Sequence, residues 1–194
     1  YQLPEVNTPY RFRILRDVKL ANTEDLAVVL GILGPFTMAS WYIMDFETLS
    51  ITMYTDPDLV HEINEAVLDW TLQVLRLAAE EGGIDCVQIS DDWGGTHSLL
   101  ISPDDFRTFF MPYFRRLVQG IKDLGLPVIM HNDGRIWDVL DELVDCGIDA
   151  LHPVERAAGM DLKIVKEKYN GHLVPIGNIN NKITMSSPNP EDIK

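Results

Sequence analysis

"PVIMHNDGRIWDVLDELVDCGIDALHP", residues 127–153, holds a complete structural unit. An apolar run of strand length, "PVIMH", ends in the polar group His131-Asn132-Asp133 and a glycine. "IWDVLDELVDCG" then reads as an amphipathic helix, and "DALHP" as a second short strand. A strand, a helix and a strand at this spacing predict a parallel βαβ unit with a right-handed crossover.

The same alternation extends in both directions. Upstream, "DLAVVLGIL" (25–33) has the length and β-branching of a strand. Residues 56–83 carry apolar side chains at helical spacing, with Asp56 or Asp58 as cap and Gly82-Gly83 as stop. "IDCVQIS" (84–90) is the next strand. A helix follows from Ser102, with Pro103 in its first position and acids in its first turn. Its buried stripe is Phe106, Phe109, Phe110, Phe114, Leu117 and Ile121, and Pro112 is expected to kink it. Downstream, "DLKIVKEKYNG" is a helix and "LVPIGN" a strand. The strands are apolar on both faces, as a sheet sheltered by helices requires.

The bulk composition fits this reading. Apolar residues make up 46% of the chain and charged residues 24%, as in a soluble globular domain. A net charge of −14 leaves no basic stripe for nucleic acid. No apolar run is long enough for a membrane span, and no signal peptide is evident. The two cysteines, Cys86 and Cys146, form no CxxC pair. Cys86 reads as a buried strand thiol, and a reducing cytoplasm is the expected compartment. No helix opens on a GxGxxG fingerprint, so a dinucleotide fold has little support.

Periodicity alone fits either an open doubly wound sheet or a barrel, and the strand ends decide between them. Thr37 follows the first strand, Ser90-Asp91-Asp92 the second and His131-Asn132-Asp133 the third. His152-Pro153 and Glu155 follow the fourth, and Asn178 and Asn180 the fifth. Polar groups collected at the C-terminal ends of successive strands make the active-site face of a TIM (β/α)8 barrel. Such a barrel typically has about 250 residues and eight strands. Residues 1–194 are therefore expected to form one partial barrel domain of about five βα units, a segment of a longer protein.

"GPFTMAS" (34–40), "SDDWGG" (90–95), "LISPDDFRTFFMPYFRRL" (100–117), "MHNDG" (130–134), "DELVDCGIDALHPVE" (141–155) and "GNIN" (177–180) resemble the uroporphyrinogen decarboxylase superfamily. This superfamily groups the haem-pathway decarboxylase with corrinoid- and cobalamin-dependent methyltransferases. The resemblance implies a TIM barrel, with this chain supplying roughly its third to seventh βα units. Trp41 stands where the decarboxylase has a tyrosine, with Tyr42 beside it, and Asp92 stands where it has a serine. The methyltransferase branch binds zinc through a His-x-Cys pair and a distant cysteine. His131 matches the first ligand, and Asp133 replaces the cysteine.

These residues define the expected site. His131 and Asp133, two apart at a strand end, point the same way. Together with carboxylates from Asp91, Asp92 or Glu155 they can ligate zinc or a related divalent ion, or act as a general acid–base set. Oxygen donors in place of the thiolate should relax zinc selectivity towards manganese, iron or cobalt. Adjacent Asp91 and Asp92 face opposite ways on a strand, so only one need reach the site. The plain structural alternatives are Asp133 as cap of the helix near Ile136 and Glu155 paired with Arg156 or a lysine. Thr37, Trp41, Tyr42, His97, His152, Asn178 and Asn180 are candidate small-molecule-binding residues, and His61 and His172 read as surface residues.

Three functions follow as expectations. The first is a methyltransferase-like enzyme working with a corrinoid protein or with a thiol or folate acceptor. The second is decarboxylation of a uroporphyrinogen-type tetrapyrrole, its acid-binding arginines lying upstream of this segment. The third is a non-catalytic small-molecule-binding barrel. A partial barrel exposes two edge strands and an apolar seam, so self-association is also expected.

Overall fold

The computed structural model describes residues 2–8, 10–177, 179, 186–189 and 191. Asn178 and Asn180 lie outside the described residues. Among the described residues, five strands form one sheet: β1 (Val29–Leu33), β2 (Cys86–Ser90), β3 (Val128–His131), β4 (Ala150–Val154) and β5 (Val174–Gly177). All pairings are parallel, and the spatial order is the chain order, β1-β2-β3-β4-β5. A doubly wound sheet reverses its strand order at a switch point, and this sheet does not. With right-handed crossovers, an unbroken order places every connecting helix on one side, which is the arrangement of a barrel arc.

The helices are α1 (Arg13–Ala21), the single turn α2 (Pro35–Thr37), α3 (Phe46–Thr55), α4 (Pro57–Glu81), α5 (Pro103–Phe109), α6 (Met111–Asp123), α7 (Trp137–Asp145) and α8 (Leu162–Lys168). A π-helix, Met38–Ile43, runs on from α2, and a 3-10 turn, Arg156–Ala158, precedes α8. The cap residues act as their chemistry requires: Asp56 accepts from the Leu59 amide and Ser102 from the Asp105 amide. The expected kink at Pro112 is a break. Phe110 leaves helical geometry at φ −122°, and Pro112 sits in the first turn of a new helix, where its missing N–H costs nothing. Sequence periodicity did not separate α1 or the segment from α2 to α3, and the first strand is four residues shorter at its start than expected.

Alternation along the strands sorts the two faces of the sheet. Val87, Ile89, Val128, Met130 and Leu151 are fully buried beneath the helices, against Phe106, Phe110, Phe114, Val139 and Leu140. The alternate positions, Cys86, Gln88, Ser90, Ile129 and His131, are half-buried on the concave side. Cys86 is thus less sheltered than a core thiol. At the lower rim a repeated Gly-Ile-Asp aligns neighbouring strands. Asp85 accepts from the Val28 amide at 2.6 Å, and Asp149 accepts from the Val128 amide at 2.7 Å. Among the described residues, no helix is long and apolar enough to cross a membrane.

Candidate active site

Register places the upper rim. Leu33 pairs with Ser90, Ser90 with His131, and His131 with His152, so these four form one layer at the C-terminal ends of β1 to β4. The chain continues upward from each, and the next residues build the mouth.

Asp91 and Asp92 separate as strand alternation requires. Asp91 is fully buried and accepts from the Thr37 amide at 2.7 Å. Burial pushes its carboxyl up to about 8, against the pull of the Thr37 and Phe36 amides. Among the described residues, its second oxygen has no hydrogen-bond partner. Of the adjacent pair, of which only one need reach the site, Asp91 is thus the buried member. Thr37 is also buried, and its hydroxyl accepts from the Asp92 amide at 3.0 Å. It clamps the β1 and β2 ends together instead of offering a free hydroxyl to a ligand. Asp92 emerges half-buried beside His131, its Oδ1 lying 3.8 Å from His131 Nε2.

The loops after β2 and β3 are knitted together. Asp92 Oδ1 accepts from the Asp133 amide at 3.1 Å, and the Arg135 amide donates to the Gly95 carbonyl at 2.8 Å. Asn132 is fully buried; its side chain donates to the Asp91 carbonyl and accepts from the Gly94 amide. Sequence reading passed over Asn132, although a polar residue between two candidate ligands was the available signal. Gly94 is required by close approach, since a Cβ there would lie 2.2 Å from the Asp133 carbonyl oxygen. Trp93, fully buried against Phe106 with ring centroids 4.5 Å apart, anchors the start of the loop.

Asp133 does not cap the following helix: α7 begins at Trp137, with Ile136 in the cap position and no side-chain cap. Asp133 is exposed at the mouth instead. Glu155 is half-buried and accepts from the Gly134 amide at 2.9 Å, holding the same loop from the β4 side rather than pairing with Arg156.

Asp92, His131 and Asp133 each offer one ligand atom, and these atoms lie within 4.8 Å of one another. Metal bonds of about 2.0–2.2 Å to nitrogen and oxygen place ligands roughly 3–4 Å apart. The 3.8 Å gap between His131 Nε2 and Asp92 Oδ1 is too long for a hydrogen bond and suits a shared ion. One imidazole and two carboxylates fit a divalent cation and leave coordination positions for substrate or water. His131 is half-buried and stacks on His152, with centroids 5.0 Å apart and Nδ1 atoms 2.8 Å apart. Burial, and secondarily the His131 charge, lowers the pKa of His152, while Asp133 opposes this.

The remaining candidates lie on the segments that follow β1 and β2. Trp41 and Tyr42 are exposed on the π-helix, 72% and 62% accessible. His97 is exposed in the loop closed by the Gly94–Leu99 bridge. His172 is exposed as expected, but His61 is half-buried, stacked on Phe109 and bonded to the Tyr113 hydroxyl at 2.9 Å.

The family model described as uroporphyrinogen decarboxylase (URO-D) matches residues 2–194. The uroporphyrinogen decarboxylase of a Geobacter species is 32% identical over 134 residues, which cover 64% of this chain and 37% of that protein. That of Thermus thermophilus is 29% identical over 155 residues, 77% of this chain and 43% of the relative. That of Bacillus thuringiensis is 31% identical over 166 residues, 79% and 45%. Among solved structures, a methyltransferase from Methanosarcina mazei superposes with a TM-score of 0.71 at 22% identity, covering 85% of this chain and 46% of that one. The chain thus spans less than half the length of each of these proteins, and the last likeness speaks to fold alone.

Proposed function

The chain belongs to the uroporphyrinogen decarboxylase family, and on that premise we propose that it works as a metal-dependent, methyltransferase-like member of it. The observation that carries this reading is the convergence of Asp92, His131 and Asp133 within 4.8 Å at the barrel mouth. A divalent ion held there would polarise a thiol or related nucleophile as a Lewis acid, lowering its pKa so that it accepts a methyl group.

The chain's own residues supply the frame for that chemistry. The β3 end presents His131, while the Asp133 amide bonded to Asp92 Oδ1 fixes the second carboxylate relative to the first. Asn132 and Glu155 lock the β3 loop from opposite sides, so the donors are preorganised rather than borne on a free loop. A corrinoid carried on a partner protein, or a folate, is the methyl donor this reading calls for, and a thiol the acceptor. Trp41, Tyr42 and His97, on the segments that follow β1 and β2, are with His152 the remaining candidates for substrate contact.

A second reading is decarboxylation of a uroporphyrinogen-type tetrapyrrole, favoured by the names of the three curated relatives above. Against it stand Trp41 and Asp92, at positions where the sequence resemblance leads one to expect hydroxyl side chains. Elemental analysis of the full-length protein, purified without chelator, separates these readings. The expected result is about one zinc, cobalt, manganese or iron per chain, abolished together with methyl transfer by His131→Ala. Metal-free protein that retains turnover after His131→Ala sinks the metal reading. Metal-free protein that turns over neither class of substrate leaves a non-catalytic binding barrel.

A further inference from the structure

The imidazoles of His131 and His152 share one hydrogen bond between their Nδ1 atoms, 2.8 Å apart, on adjacent parallel strands at one level of the sheet. A neutral imidazole carries one N–H, on either Nδ1 or Nε2, so only one ring of a neutral pair can donate into this bond. The choice determines what His131 offers on its far side. If His152 donates, His131 carries its proton on Nε2 and faces Asp92 with an N–H. If His131 donates, its Nε2 is a bare lone pair 3.8 Å from Asp92 Oδ1.

We propose that His152 is the positioning residue of this site: its Nδ1 accepts the His131 Nδ1–H, holding His131 in the tautomer that directs a lone pair from Nε2 towards Asp92 and Asp133. This rests on the metal reading above, because only a cation gives that lone pair a partner among two carboxylates. Several features support the assignment. His131 Nδ1 is already engaged, so Nε2 is its available ligand atom. The main chain holds the two strand ends in register, since the Asp91 amide donates to the His131 carbonyl and the Asn132 amide to the His152 carbonyl. Stacking with 28° between the planes restricts rotation of either ring. Metal-bound histidines generally have their second nitrogen donating to such an outer partner, which sets tautomer and orientation.

The test combines tautomer and affinity in the full chain. At about pH 8, above the ordinary imidazole pKa of about 6.5, long-range 15N–1H correlation on the zinc-loaded protein reports which His131 nitrogen carries the proton. Protonation on Nδ1 is expected. Cobalt(II) titration, followed by its visible absorption and by competition with zinc, then compares His152→Asn with His152→Phe. Asparagine restores an acceptor near the Nδ1 position and should bind within a few-fold of wild type. Phenylalanine keeps the stacked ring but no acceptor and should weaken binding by about 10–100-fold. A dominant Nε2–H tautomer of His131 in the wild type, or wild-type cobalt affinity in His152→Phe, overturns the proposal. If the wild type takes up neither ion, it is the metal reading that fails, and the proposal falls with it; if zinc binds, the His131 tautomer decides the role of His152. Should His152→Phe not fold, the wild-type tautomer and the asparagine variant still give that decision.

Discussion

Gly34 and Asp91 are packed so closely that a Cβ added to the glycine would lie 2.2 Å from the Asp91 Cγ. Gly34 has an ordinary extended backbone, φ −82° and ψ 172°, so the requirement is purely one of space. The contact lets the Asp91 carboxyl reach the Thr37 amide and tie the end of β2 to the turn after β1. Gly34→Ala must displace one or both. It is expected to cost about 1–3 kcal/mol, as overpacking a filled site does. Urea denaturation measures this, and an unchanged midpoint would refute the steric account.

Asp91 makes stability depend on pH with a definite sign. In the unfolded chain its carboxyl titrates near the ordinary value of about 3.9, whereas in the native protein burial lifts it to about 8. The native state holds the proton where the unfolded state has lost it. The stabilisation is thus fully present below about pH 4 and is lost as pH rises towards 8, by at most about 1.4 kcal/mol per unit. Asp91→Asn removes this dependence. In buffers with EDTA, the stability of wild type relative to Asp91→Asn should fall between about pH 5 and 8 and level off above. A pH-independent difference would contradict the raised pKa.

The barrel order was legible because each βα unit repeats one pattern: an apolar run, a polar end, an amphipathic helix. "GIDCVQIS" and "GIDALHPV" even repeat the aspartate that aligns the lower rim. His131, Asp92 and Asp133 were legible for the same reason, since a core would reject them at strand ends. What sequence could not show was which polar residues turn inward to hold the frame. Asp91 and Thr37 have the residue types of a site, and only the close approach at Gly34 reveals them as a buried clamp. The π-helix was also hidden, because its widened turn follows neither the strand nor the α-helical period. The His131–His152 contact depends on register between two strands, which composition and periodicity do not encode.

Glu155 separates support from chemistry by its conservative replacement. Its Oε2 accepts the Gly134 amide at 2.9 Å, and glutamine can present a carbonyl oxygen to the same donor. Glu155→Ala leaves that amide without its acceptor and should lower stability by about 1–3 kcal/mol. Glu155→Gln should stay near wild type in both stability and cobalt affinity. If Glu155→Gln folds and binds metal normally yet loses turnover, the carboxylate takes part in the reaction and the purely supporting role is wrong.

The open sides of the sheet predict association. Among the described residues, β1 and β5 each have one strand partner, so no strand pairs with their outer edges. Val29 and Val174, on those two strands, are 47% and 60% exposed, and Ile176 is 37% exposed. Their registers with Cys86 and Ala150 place Val29 and Val174 on the concave side, where a closed barrel has core. Unpaired edges bearing apolar side chains template pairing with another chain. Residues 1–194 expressed alone should therefore form dimers or larger species that grow with concentration. Val174→Lys combined with Ile176→Lys places charge on one edge and should shift the population towards monomer. Multi-angle light scattering across a concentration series checks both statements. A stable, monodisperse wild-type monomer would show that the edges are not adhesive and would remove the reason to expect a further copy or segment against them.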